Sequence, residues 1–168
     1  LGDVSVAVAY KMVQEDETWP DIVASLRVRA PTGDEPYGIK LITEEGNNNL
    51  SYPSKMATGT GLWSVNPTVS FVKTVDPAVL FASLTYTYYF SRDFSDISAS
   101  ESIIQPGSVQ LGSIWGFGVG TAFALNDRLS LGLSYSQQIG SSSRTKIEGG
   151  EWQDIAGSKS NVAVFNVG

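Results

Sequence analysis

A row of glycines within residues 112–123, GSIWGFGVGTAF, is the first candidate for a ligand-binding site. A dinucleotide-binding loop needs the spacing G-x-G-x-x-G in a tight turn before a helix, so that a pyrophosphate lies at the helix N-terminus. Here Gly116, Gly118 and Gly120 recur every second residue, which is the period of a β-strand. We therefore expect Gly112, Gly116, Gly118 and Gly120 to be structural, allowing sharp curvature or the close approach of a neighbouring backbone.

Arg27 and Arg29 are the second candidate, because residues two apart on a strand share a face. Together they could form a constriction that selects for charge, or they could lie near a rim where they are solvated or paired structurally. Lys11 could join them, whereas Lys73, beside a short turn, is more typical of an interfacial anchor. The small polar residues Ser25, Asn66, Thr68 and Thr85 are the other candidates for lining the interior that such a constriction would narrow.

Composition excludes several classes of function. The chain of 168 residues has no cysteine and no histidine, which removes disulfides, thiolate zinc sites, cysteine nucleophiles and histidine-based triads. A net charge of −6 argues against a nucleic-acid surface, which needs clustered lysine and arginine. Paired carboxylates occur only in the connections, and none has the spacing of a calcium site. We expect no enzyme, no cofactor and no metal.

Alternating hydrophobicity predicts seven long strands. Most run ten residues or more, against about 5–6 in soluble proteins and about 9–11 for a transmembrane β-strand. One side of each strand is large and apolar, and the other carries mainly Ser, Gly, Ala and Thr instead of the charges typical of a water-facing sheet. We expect every charge in these strands, Lys73 included, on the small polar side. The predicted strands lie near residues 4–13, 21–30, 62–73, 79–91, 109–124, 129–139 and 161–168.

The predicted connections alternate between short and long. This alternation is typical of an up-and-down meander, and outer-membrane barrels have short turns at one end and long loops at the other. Two short connections carry turn residues, at Asp76–Pro77 and in the LNDR segment. Aromatic residues cluster towards both strand ends, which suits either two membrane-interface belts or the core of a sandwich. The long connections are 31–61, 92–108 and 140–160, and the short ones are 14–20, 74–78 and 125–128.

Closing the predicted sheet into a barrel requires more strands than the seven predicted. Lipid supplies no hydrogen-bond partners, so a sheet that spans a membrane must close on itself. Bacterial barrels have even strand counts, and the pattern stops at SNVAVFNVG without a final aromatic strand end. We expect one or more further strands, from omitted sequence or from another chain.

Three segments resemble one family. They are LRVRAPTGD (26–34), the stretch TGTGLWSV to TYTYYF (58–90) and GFGVGTAFALNDRLSLGLSYS (116–136). They are similar to bacterial outer-membrane transporters of the meta-pathway phenol-degradation type. The resemblance implies a β-barrel in the outer membrane and a passage for small hydrophobic or aromatic compounds. The chain departs from it in lacking C-terminal strands and in a 31–61 connection with the apolar segment YGIKLI.

The sequence thus predicts an all-β fold, an antiparallel up-and-down meander forming a transmembrane β-barrel, with residues 1–168 as a single domain of a longer barrel. The predicted function is a porin-like channel in the bacterial outer membrane. Expected partners are membrane lipid, lipopolysaccharide and a small solute, without nucleic acid; a homo-oligomer or strand pairing with another chain stays open. One alternative is a structural or self-assembling envelope protein without transport activity. Another is a soluble β-sandwich binder whose apolar faces bury each other.

Overall fold

The computed structural model describes residues 2–44, 47–100, 103–126 and 129–168, and every regular element in these ranges is a β-strand. The prediction of an all-β fold is confirmed. All strand pairs are antiparallel. In chain order the strands are β1 (Val4–Val13), β2 (Asp21–Ala30), β3 (Leu41–Glu44), β4 (Asn47–Pro53), β5 (Ser64–Val75), β6 (Ala78–Tyr89), β7 (Arg92–Phe94), β8 (Gly107–Gln110), β9 (Ile114–Asn126), β10 (Leu129–Gly140), β11 (Arg144–Ile147), β12 (Gln153–Asp154) and β13 (Ser160–Val167).

The main sheet contains seven strands in the order β1-β2-β5-β6-β9-β10-β13, so each long strand pairs with the next one along the chain. This is the predicted up-and-down meander. The short connections meet at one end of the sheet, here called the turn end, and the long connections meet at the other, the loop end. Within the described residues, β1 and β13 form the two edges and do not pair with each other, so the sheet is open. Both edge strands run from the loop end to the turn end.

The pairing register separates the side chains of the main sheet into two faces, because directly opposed residues share a face. Val8 lies opposite Leu26, whereas Ala7 lies opposite Arg27. The apolar face includes Val4, Val6, Val8, Tyr10, Leu26, Val28, Val65, Val69, Phe71, Leu80, Leu84, Tyr86, Tyr88, Trp115, Phe117, Val119, Leu131, Leu133, Tyr135, Ile139, Phe165 and Val167. The polar face includes Ser5, Ala7, Ala9, Lys11, Ser25, Arg27, Arg29, Ser64, Asn66, Thr68, Ser70, Ser83, Thr85, Thr87, Gly116, Gly118, Gly120, Ser134, Ser136 and Gln138.

Lys73 corrects one prediction about these faces. We expected Lys73 on the polar face with Ser70, but the register places it opposite Leu80 on the apolar face. The expectation was wrong because residues three apart on a regular strand point to opposite sides. Lys73 lies near the turn end, where its ammonium group donates hydrogen bonds to the backbone carbonyls of Asp16 and Trp19. The charge is therefore at the margin of the apolar face.

The apolar face of the main sheet is open to its surroundings. Val6, Val8 and Phe165 are exposed over 66%, 68% and 66% of their surface, and Val119 in the middle of the sheet over 52%. The buried apolar residues of the described chain lie elsewhere, at the loop end, and are Leu62, Phe94 and Val109. They pack with Tyr37, Tyr89, Ile97 and Leu111.

The long connections contain short strands that the alternation did not predict. β3 and β4 form a hairpin, and β12-β11-β8-β7 form a four-stranded sheet, here called the loop sheet. β8 and β11 continue the β9–β10 pair beyond the main sheet, with a break at residues 111–113 and 141–143. The apolar segment YGIKLI divides between Tyr37, whose ring lies 4.6 Å from that of Phe94, and the start of β3. Residues 127–128, within the predicted LNDR turn, lie outside the described residues.

Candidate functional site

The polar face holds a groove in the middle of the sheet, between β5, β6, β9 and β10. Beside it, hydroxyl and amide side chains of β5 and β6 form hydrogen bonds with one another. Thr68 lies opposite Thr85 with their hydroxyl oxygens 3.0 Å apart, and the Asn66 amide donates a hydrogen bond of 2.6 Å to the Thr87 hydroxyl. The groove has a volume of about 300 Å³, and the polar-face residues that line it are Asn66, Ser83, Thr85, Thr87, Ile114, Gly116, Gly118, Ser136 and Gln138.

Gly116 and Gly118 leave space in this groove. A methyl group at position 116 would meet its nearest neighbour, the Gln138 side chain, at 3.7 Å, and one at position 118 would lie 3.2 Å from the Ser83 hydroxyl. Both residues pair with small polar side chains, Thr85 and Ser83 respectively. The absence of side chains at these two positions therefore gives the groove its depth.

Gly120 and Gly112 are glycine for a different reason, namely the close approach of other groups. A methyl group at position 120 would overlap the ring of Phe81 and lie 2.8 Å from the Leu133 carbonyl oxygen. One at position 112 would overlap the backbone of Ser141. Both residues lie in the breaks between the main sheet and the loop sheet. The four glycines predicted as a single structural row thus meet different surroundings. A methyl group would make ordinary contacts at position 116, a close contact with the Ser83 hydroxyl at position 118, and overlaps at positions 120 and 112.

Arg27 and Arg29 line a second depression, of about 160 Å³, at the loop end of the polar face. The two arginines lie opposite Asn66 and Ser64 on β5. The other lining residues are Ser64, Asn66, Thr87 and Tyr89. Asn66 and Thr87 line this depression and the groove as well. The arginine pocket and the groove therefore adjoin on one face.

Asp3 anchors the chain beside Arg29. Its carboxylate accepts hydrogen bonds from the backbone N–H groups of Gly33 (3.1 Å) and Thr60 (2.9 Å) and from the Thr60 hydroxyl (3.1 Å). Burial alone would raise the pKa of Asp3, but these hydrogen bonds and the attraction of Arg29 together lower it. Asp3 and Arg29 also line a common depression with Thr58 and Gly59. Asp3 is therefore a carboxylate that interacts electrostatically with Arg29.

The structure separates the remaining predicted candidates. Ser25 lies on the polar face opposite Thr68. Lys11 is on the same face, but its ammonium group lies 3.0 Å from the Asp21 carboxylate near the turn end. Lys11 lies opposite Val23, which is four residues from Arg27 along β2. Four residues of strand correspond to about 13 Å. Lys11 is therefore neutralised by Asp21 at some distance from the arginine pair.

Two long connections are joined at the loop end by an ion pair. The Lys40 ammonium lies 2.6 Å from the Asp96 carboxylate, and it donates to the carbonyl oxygens of Ser98 and Ile103. The hydrogen bond from Lys40, together with those from the backbone N–H groups of Ser98 and Gln105, lowers the pKa of Asp96 to about 2. These contacts join the connection that carries Lys40 to the connection that carries Asp96.

Aromatic side chains cluster at the loop end of the apolar face. The rings of Tyr86 and Trp115 lie 4.5 Å apart, and those of Tyr88 and Phe90 lie 5.2 Å apart in an edge-to-face arrangement. Trp63 is half exposed, and its carbonyl accepts a hydrogen bond from the N–H of Phe90. This end of the face therefore carries the row of aromatic residues noted in the sequence.

Sequence reasoning did not select several residues that line the groove. Ser83, Thr87 and Ser136 were on the predicted polar sides of their strands, and only the register shows that they meet in one groove with Asn66 and Thr85. Gln137 and Gln138 are adjacent and both polar, so the alternation could not predict which of them lies on the polar face. Gln138 lies opposite Gly116 on the polar face.

No protein-family model matches the chain. The described residues contain no cluster of three or more acidic side chains placed to hold a metal ion. Across the same residues, no helix is long and apolar enough to cross a membrane. The chemistry available at the site is thus that of hydrogen-bond donors and acceptors beside two guanidinium groups.

Proposed function

We propose that the chain forms part of the wall of a transmembrane antiparallel β-barrel in the bacterial outer membrane, and that this barrel is a conduit for small solutes. One observation carries the proposal. The main sheet has a continuous, exposed apolar face on one side and a face of small polar residues with a groove on the other. In a barrel, the first face meets lipid and the second lines an aqueous interior.

Water is a poor environment for the apolar face. Transfer of a large apolar side chain out of water contributes about 1.5–3 kcal/mol, and the net stability of a domain is only about 5–15 kcal/mol. Val8, Leu84 and Val119, at the middle of three strands, are 68%, 48% and 52% exposed. A row of such residues across seven strands needs a cover, and hydrocarbon supplies it.

Strand length and aromatic placement support the membrane over a soluble sandwich. β5, β6 and β10 have 12 residues and β9 has 13, against the about 9–11 residues that span hydrocarbon. A sandwich would need a second sheet over the apolar face. The loop sheet instead buries Phe94 and Val109 against Leu62, at the loop end.

The directions of the edge strands define how such a barrel closes. β1 and β13 run the same way, so direct pairing between them would be parallel. A wholly antiparallel barrel needs an odd number of additional strands between them, which agrees with the even counts of bacterial barrels. A second copy with the same orientation in the membrane would again place β13 of one copy parallel to β1 of the other. We therefore favour closure by strands of the same longer polypeptide.

Solutes would cross by diffusion along the polar face. The hydroxyl and amide groups of Asn66, Thr85 and Thr87 replace part of the water around a solute, and Gly116 and Gly118 keep the path open. Towards the turn end the same face becomes more apolar, with Val72 opposite Phe81. A path with both kinds of surface suits small solutes that carry polar and apolar parts.

The experiment is conductance and uptake with the protein reconstituted in lipid. Planar-bilayer recordings should show stepwise currents, and liposomes containing the protein should take up small solutes faster than empty liposomes. A sealed, non-conducting barrel that also fails to accelerate uptake would contradict the transport function.

A second candidate function is a self-assembling envelope protein, and the free edges of β1 and β13 favour it. Every described side chain of β13 is exposed, and so are those of β1 except Val13. An unpaired edge is a template for another strand. Molar mass in detergent separates the two proposals: a monomer supports the closed conduit, and a defined oligomer without conductance supports assembly.

A further inference from the structure

We propose that the pocket formed by Arg27 and Arg29 binds the carboxylate group of a small organic anion. The proposal rests on the proposed function only for the role of this binding in solute passage, since the pocket itself lies on the polar face whatever covers the other side. The solute class of the conduit would then be small carboxylates with a short carbon chain.

The charges of the two arginines are not neutralised by their neighbours on the sheet. Arg27 lies between Ala7 on β1 and Asn66 on β5, and Arg29 lies between Ser5 and Ser64. None of these side chains is charged.

Several other cations among the described residues have carboxylate partners. Lys11 pairs with Asp21 at 3.0 Å, Lys40 with Asp96 at 2.6 Å, and Arg144 with Asp154 at 3.2 Å. Across the described residues, neither Arg27 nor Arg29 has a carboxylate oxygen within the 4.0 Å of an ion pair. Arg29 lowers the pKa of Asp3, but the Asp3 carboxylate already accepts hydrogen bonds from Gly33 and Thr60.

The geometry suits a planar oxyanion. Residues two apart on a strand are separated by about 7 Å, a distance that lets two guanidinium groups approach one bound group from the same side. Guanidinium is a rigid fork of N–H donors that matches the two oxygens of a carboxylate. The Asn66 amide and the hydroxyls of Ser64 and Thr87 line the same pocket and supply further donors.

Charge and surroundings favour a carboxylate over a phosphate. The protein carries a net charge of −6, and Asp3 lies beside Arg29, so a doubly charged ion meets more repulsion than a singly charged one. Tyr89, half-buried on the pocket wall, offers an apolar surface to a carbon chain. The pocket is small, with a volume of about 160 Å³, which favours a ligand with a short carbon chain.

The test is saturation-transfer NMR on the folded protein in detergent, with butyrate as probe. Butyramide has nearly the same shape without the charge. Inorganic phosphate has oxyanion character without the carbon chain, and because it has no carbon-bound protons, its affinity is measured by its displacement of butyrate. We expect butyrate to bind, butyramide to bind at least tenfold more weakly, and the double variant Arg27→Gln/Arg29→Gln to lose at least tenfold in butyrate affinity. Arg144→Gln removes one charge from the loop sheet and should leave the affinity unchanged.

Three results would overturn the proposal: equal affinities for butyrate and butyramide, unchanged butyrate affinity in the double variant, or phosphate binding as tightly as butyrate. Each leaves the conduit itself intact if currents are observed. Conversely, butyrate binding that depends on Arg27 and Arg29 in a protein that conducts nothing would contradict the proposed function and keep the carboxylate site.

Discussion

Phe81 on β6 lies directly opposite Gly120 on β9, and its ring occupies the space in which a side chain at position 120 would begin. The ring covers the glycine on the polar face, close to the turn end. Because this contact fills the space over Gly120, the position tolerates no addition without a shift of the ring or of the Leu133 carbonyl. At Gly116, four residues away on the same strand, a methyl group would make only ordinary van der Waals contacts, the nearest at 3.7 Å.

The first prediction compares alanine at these two glycines. Gly120→Ala should destabilise the protein by about 1–3 kcal/mol, the usual cost of overpacking, whereas Gly116→Ala should change the stability by less than that, because its nearest contact would be 3.7 Å. Urea unfolding in lipid or detergent gives both values. Equal effects of the two substitutions would show that Phe81 does not restrict position 120.

The second prediction concerns the width of the groove. Gly116→Leu fills space between Thr85 and Gln138, so the variant should fold and should reduce the single-channel conductance several-fold. Val119→Leu adds bulk to the same strand on the apolar face and is the matched control, with conductance expected to match the wild type. A Gly116→Leu channel of full conductance would place the solute path elsewhere.

The third prediction uses the shared charge of Asp3 and Arg29. Asp3→Asn removes the negative charge beside Arg29, so reversal potentials in a salt gradient should move towards higher anion permeability. Asp154→Asn, which removes a carboxylate paired with Arg144 in the loop sheet, should leave them unchanged. An unchanged reversal potential in the Asp3 variant would mean that Asp3 and Arg29 do not face the permeating ions.

The fourth prediction is the pH dependence of the junction between the long connections. The pKa of Asp96 is lowered from 3.8 to about 2, first by the hydrogen bond from Lys40. A carboxyl whose pKa is lowered by folding stabilises the folded form above its ordinary pKa, and this contribution is lost as the pH falls towards the folded value. Between pH 4 and pH 2, pepsin should therefore cleave residues 31–63 and 90–113 increasingly fast.

The control for this prediction is Asp96→Asn. At about pH 4 this variant should be cleaved as fast as the wild type is cleaved at about pH 2. The ion pair of Arg144 with Asp154 is more exposed, and Asp154→Asn should follow the wild type. Pepsin cleavage of the wild type that is flat across the range would show that the Lys40–Asp96 pair does not hold the junction.

The long strands could be predicted from the sequence because their alternation extends over many residues. β1 and β2 begin and end where the pattern placed them, and the meander followed from the alternation of short and long connections. Short strands such as β7, with three residues, and β12, with two, carry too few alternations to be detected. They form because neighbouring connections pair with each other, which is tertiary information.

The candidate site was predictable as a face but not as a pocket. Alternation placed Arg27, Asn66 and Thr85 on one side of their strands, yet which residues meet depends on the register, and the register is set by pairing across strands. The ion pair of Lys11 with Asp21 joins two strands across a turn, and alternation carries no signal for it. Lys73 shows the opposite failure, since grouping by polarity rather than by position assigned it to the wrong face.

The most direct test of the central claim is the environment of single labels on adjacent residues. The chain has no cysteine, so Leu84→Cys on the apolar face and Thr85→Cys on the polar face each give one attachment site for a nitroxide in the reconstituted protein. We predict that the label at 84 collides mainly with oxygen dissolved in lipid and the label at 85 mainly with a water-soluble nickel chelate. A label at 84 that is shielded from both reagents, or that meets the nickel chelate as readily as the label at 85, would contradict a lipid-facing wall.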